Sequence, residues 1–260
     1  MALPKITHPT SDVTIPSNKK KIRIRPLLVR EEKILLMAKE TKDETDILVA
    51  LKQVVNNCII TPNIDINDFT IFDLEYLFIK IRCFSIGNIT NVAYVDNEDE
   101  KTYNFSVDLN KIEVIFPENV LNNIKISDDI SISVKYPTAK LYDDKEFLKK
   151  DDQEMIEYLI ISCLDKIFVG EEIDSFKNLP KEEILEFIEN LPIKVYDEIK
   201  YFFNNIPYMK YEINYKNSLG NDRQIILSNL TDFFSFRWII ILLRITTKQS
   251  LLWFSIINIL

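Results

Sequence analysis

Three pairs of adjacent carboxylates are the residues of this 260-residue chain whose type and spacing best suit chemistry. They are Asp143 with Asp144, Asp151 with Asp152, and Glu171 with Glu172. Paired carboxylates can bind a divalent cation, or they can act together as general acid and general base. All three pairs lie in hydrophilic connecting segments outside any calcium-loop pattern. We therefore predict a solvated surface at these positions, and we expect no catalytic residue, metal or cofactor there.

Histidine, cysteine and glycine are too few or too scattered to build the common catalytic and nucleotide-binding motifs. His8 is the single histidine, which excludes histidine-based metal cages and Ser-His-Asp triads. Cys58, Cys83 and Cys163 stand singly in apolar segments, which predicts buried packing rather than disulfides or a zinc motif. The chain has 3 glycines, too few for a phosphate-binding loop or a dinucleotide fingerprint. We therefore predict a protein without enzymatic activity.

Charge is unevenly distributed along the chain, whose net charge is −8. Residues 1–30 carry +6 and residues 236–260 carry +3, which leaves −17 for residues 31–235. A basic amino-terminal segment on an acidic body favours docking on an acidic surface, although lysines that protect the edge of a strand explain it equally well. The candidate partner-binding cations are Lys19, Lys20, Lys21, Arg23, Arg25 and Arg30.

A protein is the expected partner of this basic segment. The body of the chain is negative, and no aromatic residues are interleaved with the cations, so a nucleic acid would find neither a continuous basic surface nor a stacking platform. Phe233 and Phe234 form an aromatic pair of the kind that anchors protein interfaces, and they are the candidate apolar contacts.

Residue periodicity predicts an α+β protein in which helices pack around a small, mainly antiparallel sheet, with a β-hairpin in the middle and a helical C-terminal half. Basic and apolar residues alternate over residues 20–25, which predicts a short strand that Pro26 ends. Helices are expected over residues 29–40, 41–55 and 71–84. A hairpin of residues 90–95 and 102–107 should enclose the acidic turn 96–100, with further strands at 112–115 and 130–136.

The second half of the chain is predicted to be largely helical. Helices are expected over residues 155–167, 179–191 and 195–203, before a closing hairpin of residues 209–215 and 223–227. The predicted organisation is a basic extended arm and short strand over 1–28, and a helical segment followed by a β region over 29–137. A helical region with the closing hairpin then covers 138–234, and an apolar, divergent tail covers 235–260.

The tail at residues 235–260 differs in composition from the rest of the chain. It contains both tryptophans, Trp238 and Trp253, and from residue 236 onwards it has no acidic residue. Its apolar runs are shorter than the roughly 18 uninterrupted residues that span a bilayer. A helical hairpin that packs on the body or on a partner is the first interpretation, and an interfacial or membrane anchor and a frame-altered end are the alternatives. No secretory signal is expected in residues 1–15, so the cytoplasm is the expected compartment.

Two segments carry a pattern that resembles the T4-type bacteriophage baseplate hub proteins. Residues 24–38 read Ile-Arg-Pro-Leu-Leu-Val-Arg-Glu-Glu-Lys-Ile-Leu-Leu-Met-Ala. Residues 73–82 read Asp-Leu-Glu-Tyr-Leu-Phe-Ile-Lys-Ile-Arg, and Ser85-Ile-Gly87 follows them. Shorter matches come later in the expected order, at residues 136–137, 187–191, 202–203, 206–207 and 230–234. The resemblance runs from about residue 13 to 234 and stops where the composition changes.

The resemblance implies a structural or assembly subunit of the baseplate hub of a contractile-tailed phage, with other hub and tail proteins as its partners. Such a protein would act in the host cytoplasm during assembly and then in the tail baseplate of the virion. No catalytic residue is carried over. Some relatives place cysteines in the hairpin at residues 96–100; this sequence has none there, so no zinc knuckle is expected. An assembly chaperone absent from the mature virion and an acidic metal-dependent enzyme are the rival functions.

Overall fold

The chain folds into two compact units. A computed structural model describes residues 3–4, 6–41, 44–144, 147, 152–228 and 230–233. Of the described residues, the first unit contains those up to Ile115 together with those from Tyr208 to Phe233, and the second unit contains those of Phe116–Pro207. In sequence, the second unit therefore interrupts the first.

Both units contain helices and strands. In chain order, the described elements are β1 Ser11–Thr14, β2 Lys21–Ile24, α1 Val29–Thr41, α2 Glu44–Cys58, α3 Ile71–Ile86, β3 Ile89–Val95, β4 Thr102–Asp108, β5 Glu113–Ile115, β6 Asn123–Lys125, β7 Ile130–Val134, α4 Asp152–Cys163, β8 Leu164–Val169, β9 Glu172–Ser175, α5 Lys181–Glu189, α6 Ile193–Asn204, β10 Tyr208–Lys216, β11 Asp222–Leu227 and α7 Leu230–Phe233. These strands form four small antiparallel sheets, with the orders β1-β2, β11-β10-β5, β3-β4 and β6-β7-β8-β9. The predicted α+β class is confirmed.

The first unit begins with the β1–β2 hairpin, followed by three helices. Ile22 and Ile24 of β2 are buried, while the residues between and before them are exposed, as the two-residue period of a strand requires. Helices α1 and α2 pack on each other through Ala38, Ile47 and Ala50.

Helix α3 has a clear start and a clear end. The Thr70 hydroxyl accepts a hydrogen bond from the Asp73 N–H, and the Asp73 carboxylate accepts one from the Thr70 N–H, which together make a capping box. The helix ends at Gly87, whose φ of 115° suits a residue without a side chain. The buried apolar residues of the helix are Phe72, Leu74, Leu77, Phe78, Ile79 and Ile81, whereas Ile86 in its last turn is exposed.

The second unit is built on one continuous apolar core between the β6-β7-β8-β9 sheet and helices α4, α5 and α6. Phe202 and Phe203 of α6 are 1% and 2% exposed, and their rings meet edge to face with centroids 5.3 Å apart. The Tyr136 ring stacks on Phe202 at 4.9 Å. Ile132 of β7 and Leu159 of α4 join the same core.

The structure corrects one sequence prediction. The helix expected over residues 155–167 ends at Cys163, and residues 164–169 form β8, which pairs with β7 on one side and β9 on the other. Apolar residues occur on both faces of this strand, so their spacing also fits a helix. In residues 1–28, for which an extended arm and a short strand are expected, β1 pairs with β2 and Ile15 is fully buried.

We expect Phe202→Ala to lower the free energy of unfolding by about 3–5 kcal/mol, because it removes a large buried ring and leaves a cavity beside Tyr136 and Phe203. Chemical denaturation measures this loss. Tyr201→Ala is the matched control, since the adjacent Tyr201 side chain is 51% exposed. Equal losses in the two variants would contradict the assignment of Phe202 to the core.

Candidate functional site

The β1–β2 hairpin presents basic side chains on one face and buries aliphatic side chains on the other. The register places Arg23 opposite Asp12, and Lys21 opposite Thr14. These four residues are exposed, as are Lys19 and Lys20, which precede β2. We call the exposed set Lys19, Lys20, Lys21 and Arg23 the basic face. These residues lie within five consecutive positions, and they are four of the six candidate partner-binding cations.

Strand β2 is held on both sides by backbone contacts. On one side it pairs with β1. On the other side, the Arg25 N–H donates to the Cys58 carbonyl at 2.9 Å, and the Ile60 N–H donates to the Arg23 carbonyl at 2.9 Å. The Arg23 N–H also donates to the Thr61 hydroxyl at 2.7 Å. The basic face therefore stands on a backbone that is fixed along both edges.

A shallow cavity of about 400 Å³ lies on this face. Its lining combines charged and apolar side chains from β1, β2 and the segment after α2, namely Asp12, Lys21, Ile22, Arg23, Ile60, Thr61 and Pro62. The Arg23 Nε atom lies 3.3 Å from the Asp12 carboxylate, and these two side chains are 60% and 66% exposed. Such an exposed ion pair contributes at most about 1 kcal/mol and is weakened by salt.

Arg25 differs from the other predicted cations because it is buried. It is 6% exposed, and its guanidinium donates two hydrogen bonds to the Glu31 carboxylate, at 2.9 and 3.1 Å. It also donates to the carbonyls of Asn57 at 2.7 Å and Pro26 at 2.9 Å. These contacts commit Arg25 to the interior, so we remove it from the candidate docking residues.

Glu31 is the centre of this buried cluster. Burial opposes its ionisation, but hydrogen bonds from Arg25, the Leu28 N–H and Arg30 outweigh that cost and lower the pKa of the Glu31 carboxyl to about 2. Arg30 donates from Nε at 2.8 Å while its side chain stays 66% exposed. Arg30 is therefore accessible, but it is already paired within its own chain. The side chain of Phe233 and the whole of Phe234 lie outside the described residues.

The acidic turn 96–100 forms a clasp with the β10–β11 hairpin. Asp96 is fully buried, and its carboxylate accepts hydrogen bonds from the Tyr215 hydroxyl and from Arg223 Nε, the latter at 3.0 Å. The hydrogen bond from Tyr215 is the main cause that lowers the pKa of the Asp96 carboxyl, and Arg223 acts in the same direction. We call this cluster the carboxylate clasp.

Two more carboxylates complete the carboxylate clasp. Glu98 accepts from the side-chain amide of Asn221 at 2.7 Å, and Asp99 accepts from the N–H and the hydroxyl of Ser218 at 2.9 and 2.8 Å. Asp99 also accepts from the Tyr103 hydroxyl at 2.6 Å. Protein donors therefore already occupy these carboxylates, and the arrangement serves to fasten two hairpin tips. Sequence reasoning missed it, because the partners are more than one hundred residues apart along the chain.

The acidic pairs do not converge on one place. Asp144 accepts from the Phe147 N–H at 3.2 Å and from the Tyr158 hydroxyl. Glu171, in the turn between β8 and β9, and Glu172, the first residue of β9, are exposed. Asp151 and the side chain of Asp152 lie outside the described residues. Among the residues that the structure describes, no group of three or more His, Cys, Asp or Glu side chains has an arrangement that could hold a metal ion.

The cysteines are placed as packing residues. Cys58 and Cys163 are buried, and burial raises the pKa of their thiols to about 11 and about 12, respectively. Burial also raises the pKa of the half-buried Cys83 thiol. Since the thiolate is the nucleophilic form, these three cysteines are poorly suited to covalent catalysis.

Arg25→Met should lower the free energy of unfolding by about 3–5 kcal/mol, because it leaves the Glu31 carboxylate buried beside one cation instead of two. Chemical denaturation at neutral pH gives the value. The control is Arg23→Met, which alters an exposed side chain two residues away and should cost less than about 1 kcal/mol. The double variant Arg25→Met/Glu31→Leu should recover part of the loss. A similar loss in Arg25→Met and Arg23→Met would refute the structural role of Arg25.

Glu75, in α3, is a second carboxyl whose ionisation is coupled to folding. Burial, and then the negative charge of Asp232 in α7, raise the pKa of the Glu75 carboxyl from 4.5 to about 7. Asp232 itself accepts a hydrogen bond from the Ser228 N–H at 2.7 Å. The folded state therefore holds a proton on Glu75 that the unfolded state releases between these two values of the pH. The contribution of Glu75 to stability falls as the pH rises through this window.

Glu75→Gln should therefore raise the melting temperature above that of the wild type at about pH 8, where the native carboxyl would otherwise be ionised. The gain in stability should be about 2–3 kcal/mol at most and should disappear below about pH 4.5. Thermal denaturation over a series of pH values measures it. The exposed Glu32 of α1 supplies the control variant Glu32→Gln. A gain for Glu75→Gln that does not change with pH would count against this explanation.

No described helix has the length and apolar character needed to cross a membrane. Residues 235–260, to which the membrane-anchor interpretation applied, lie outside the described residues.

The search of curated proteins and the search of solved structures found no match. The family model described as T4 bacteriophage base plate protein matches residues 8–235, which include the basic face, the carboxylate clasp and the core of the second unit. The chain belongs to this family of T4 bacteriophage base plate proteins.

Proposed function

We propose that this protein is a structural or assembly subunit of the baseplate hub of a contractile-tailed, T4-like phage, and that it acts by binding other hub and tail proteins. The match to the base plate family over residues 8–235 is the observation that carries the proposal. The resemblance of residues 24–38 and 73–82 to hub proteins supports the position in the hub. The sites of action would be the host cytoplasm during assembly and the tail baseplate of the virion.

The basic face is the proposed contact with acidic neighbours. Its four cations, Lys19, Lys20, Lys21 and Arg23, are exposed and close together in sequence, on a chain whose net charge is −8. A local positive field of this kind attracts an acidic surface at a distance and orients it before contact, so it mainly raises the rate of association. Arg30, exposed at the start of α1, extends the same charge. Phe233 and Phe234 remain the proposed apolar anchors that would add desolvated area.

A binding function without a chemical step is supported by the state of the reactive groups. The carboxylates of the clasp accept hydrogen bonds from protein donors, and the thiols of Cys58 and Cys163 have raised pKa values. These carboxylates and thiols are therefore poorly suited to act as a catalytic base or nucleophile. A subunit that assembles by contact needs none of them to be reactive.

Charge reversal of the basic face should slow baseplate assembly. The test is the triple variant Lys20→Glu/Lys21→Glu/Arg23→Glu, introduced into the phage or co-expressed with the other tail proteins. We expect the rate of tail completion to fall by about tenfold or more, because like charges now oppose docking, and we expect the wild-type rate to depend more steeply on salt than that of the variant.

The matched control reverses three exposed lysines of the second unit, at Lys140, Lys177 and Lys194, and so changes the net charge by the same amount. A wild-type rate in the triple variant, or an equal loss in the control, would refute the role of the basic face. Mass spectrometry of purified virions tests whether the protein is retained as a structural subunit. If the protein were absent from virions but needed for their assembly, the function of an assembly chaperone would replace that of a structural subunit.

A further inference from the structure

The two cations in the middle of the basic face have a regular spacing. Lys21 and Arg23 are two residues apart in β2, so their side chains leave the same face of the strand about 7 Å apart. Asp12 and Thr14 of β1 lie beside them on one side, and Ile60, Thr61 and Pro62 lie on the other. The cavity of about 400 Å³ is thus lined by two cations of β2, and we call it the groove.

We propose that this groove binds an extended acidic segment of a partner protein whose carboxylates occur at alternate positions. In an extended chain, side chains at i and i+2 point to the same side about 7 Å apart, which matches the spacing of Lys21 and Arg23. This inference rests on the proposed function and specifies the chemistry of its partner. A segment with adjacent carboxylates would turn one of them away from the groove.

Arg23 is suited to receive one of these carboxylates. Its ion pair with Asp12 uses Nε, so the two terminal amino groups of the guanidinium can bind an incoming carboxylate in the two-pronged geometry that arginine favours. The Arg23–Asp12 pair is exposed on both sides, so its loss on binding costs little. The Asp12 carboxylate thus competes only weakly with the partner's carboxylate for Arg23. Replacing Asp12 by a neutral residue should therefore strengthen binding of the partner.

The walls of the groove determine which kind of polyanion fits. Ile60 is 42% exposed and Pro62 is exposed, which gives one wall an apolar surface for the side chains between the carboxylates. The lining contains no aromatic ring on which a base could stack. These features favour an acidic protein segment over a nucleic acid.

The test is the binding of short fluorescent peptides to the full chain, measured by anisotropy at low salt. The probe peptide has two glutamates separated by one isoleucine, in a background of threonine and isoleucine. Its isomer has the same composition with the two glutamates adjacent, and a single-stranded oligothymidylate serves as the nucleic-acid probe. We expect the alternating peptide to bind at least about tenfold more tightly than the isomer, a difference of about 1.4 kcal/mol.

Variants locate the binding on the groove. Arg23→Ala and Lys21→Ala should each weaken binding of the alternating peptide about tenfold or more, Asp12→Asn should strengthen it severalfold, and Lys140→Ala should leave it unchanged. The three altered groove side chains are exposed, and thermal denaturation confirms that each variant folds. Equal affinity for the two peptides, wild-type affinity in Arg23→Ala, or tighter binding of the oligothymidylate would overturn the inference.

The outcome is separable from that of the proposed function. If charge reversal blocks tail assembly but the alternating peptide binds no better than its isomer, the docking role stands and the proposed partner chemistry falls. If the spacing preference holds but the charge-reversed phage assembles at the wild-type rate, the groove is a real binding site and its role in the baseplate falls.

Discussion

The buried pair of Arg25 and Glu31 is the interaction on which the amino-terminal part of the first unit depends. It joins the end of β2 to the start of α1, and through the Asn57 carbonyl it also holds the end of α2. A carboxylate that is fully buried is tolerated because it is ionised against two cations and an N–H, as its lowered pKa reflects. Without this cluster, the strand, the two helices and the segment after α2 would have no common polar anchor.

The same cluster explains how one run of cations serves two purposes. Arg25 is neutralised inside the protein, whereas Lys21 and Arg23 remain on the surface, because the two-residue period of β2 places Ile22 and Ile24 inward between them. Beyond Ile24, Pro26 cannot continue the hydrogen-bonding ladder, so the strand ends and Arg25 no longer follows its alternation. The acidic residue nearest in sequence to the basic face, Asp12, makes an exposed pair that solvent and salt weaken. The surface therefore stays positive on a chain that is negative as a whole.

Local sequence patterns predicted the helices and strands that bury one face and expose the other. The alternation of β2, the amphipathic stripe of α2 and the hairpin of β3 and β4 were all predicted from the sequence, because each has one wet face and one dry face. The strand β8 was mistaken for the end of a helix, because it lies between β7 and β9 and carries apolar residues on both faces. Strand β1 was missed for a related reason: its four residues form a strand only because β2 lies beside them.

The candidate site shows the same limit at the level of single residues. Residue type identified the cluster of cations. Arg23 and Arg25, however, are both arginines two positions apart, and only the fold makes Arg23 a surface group and Arg25 a structural one. The nearest local signal is Glu31, an acidic residue six positions after Arg25 in the first turn of α1. The carboxylate clasp gave no local signal, since Asp96 meets Tyr215 and Arg223 across most of the chain. In both clusters the carboxylates are consumed by internal donors, so the count of acids in the sequence overstates how much negative charge can compete for the exposed cations. That difference between total and available charge is what allows a basic face to persist on an acidic protein.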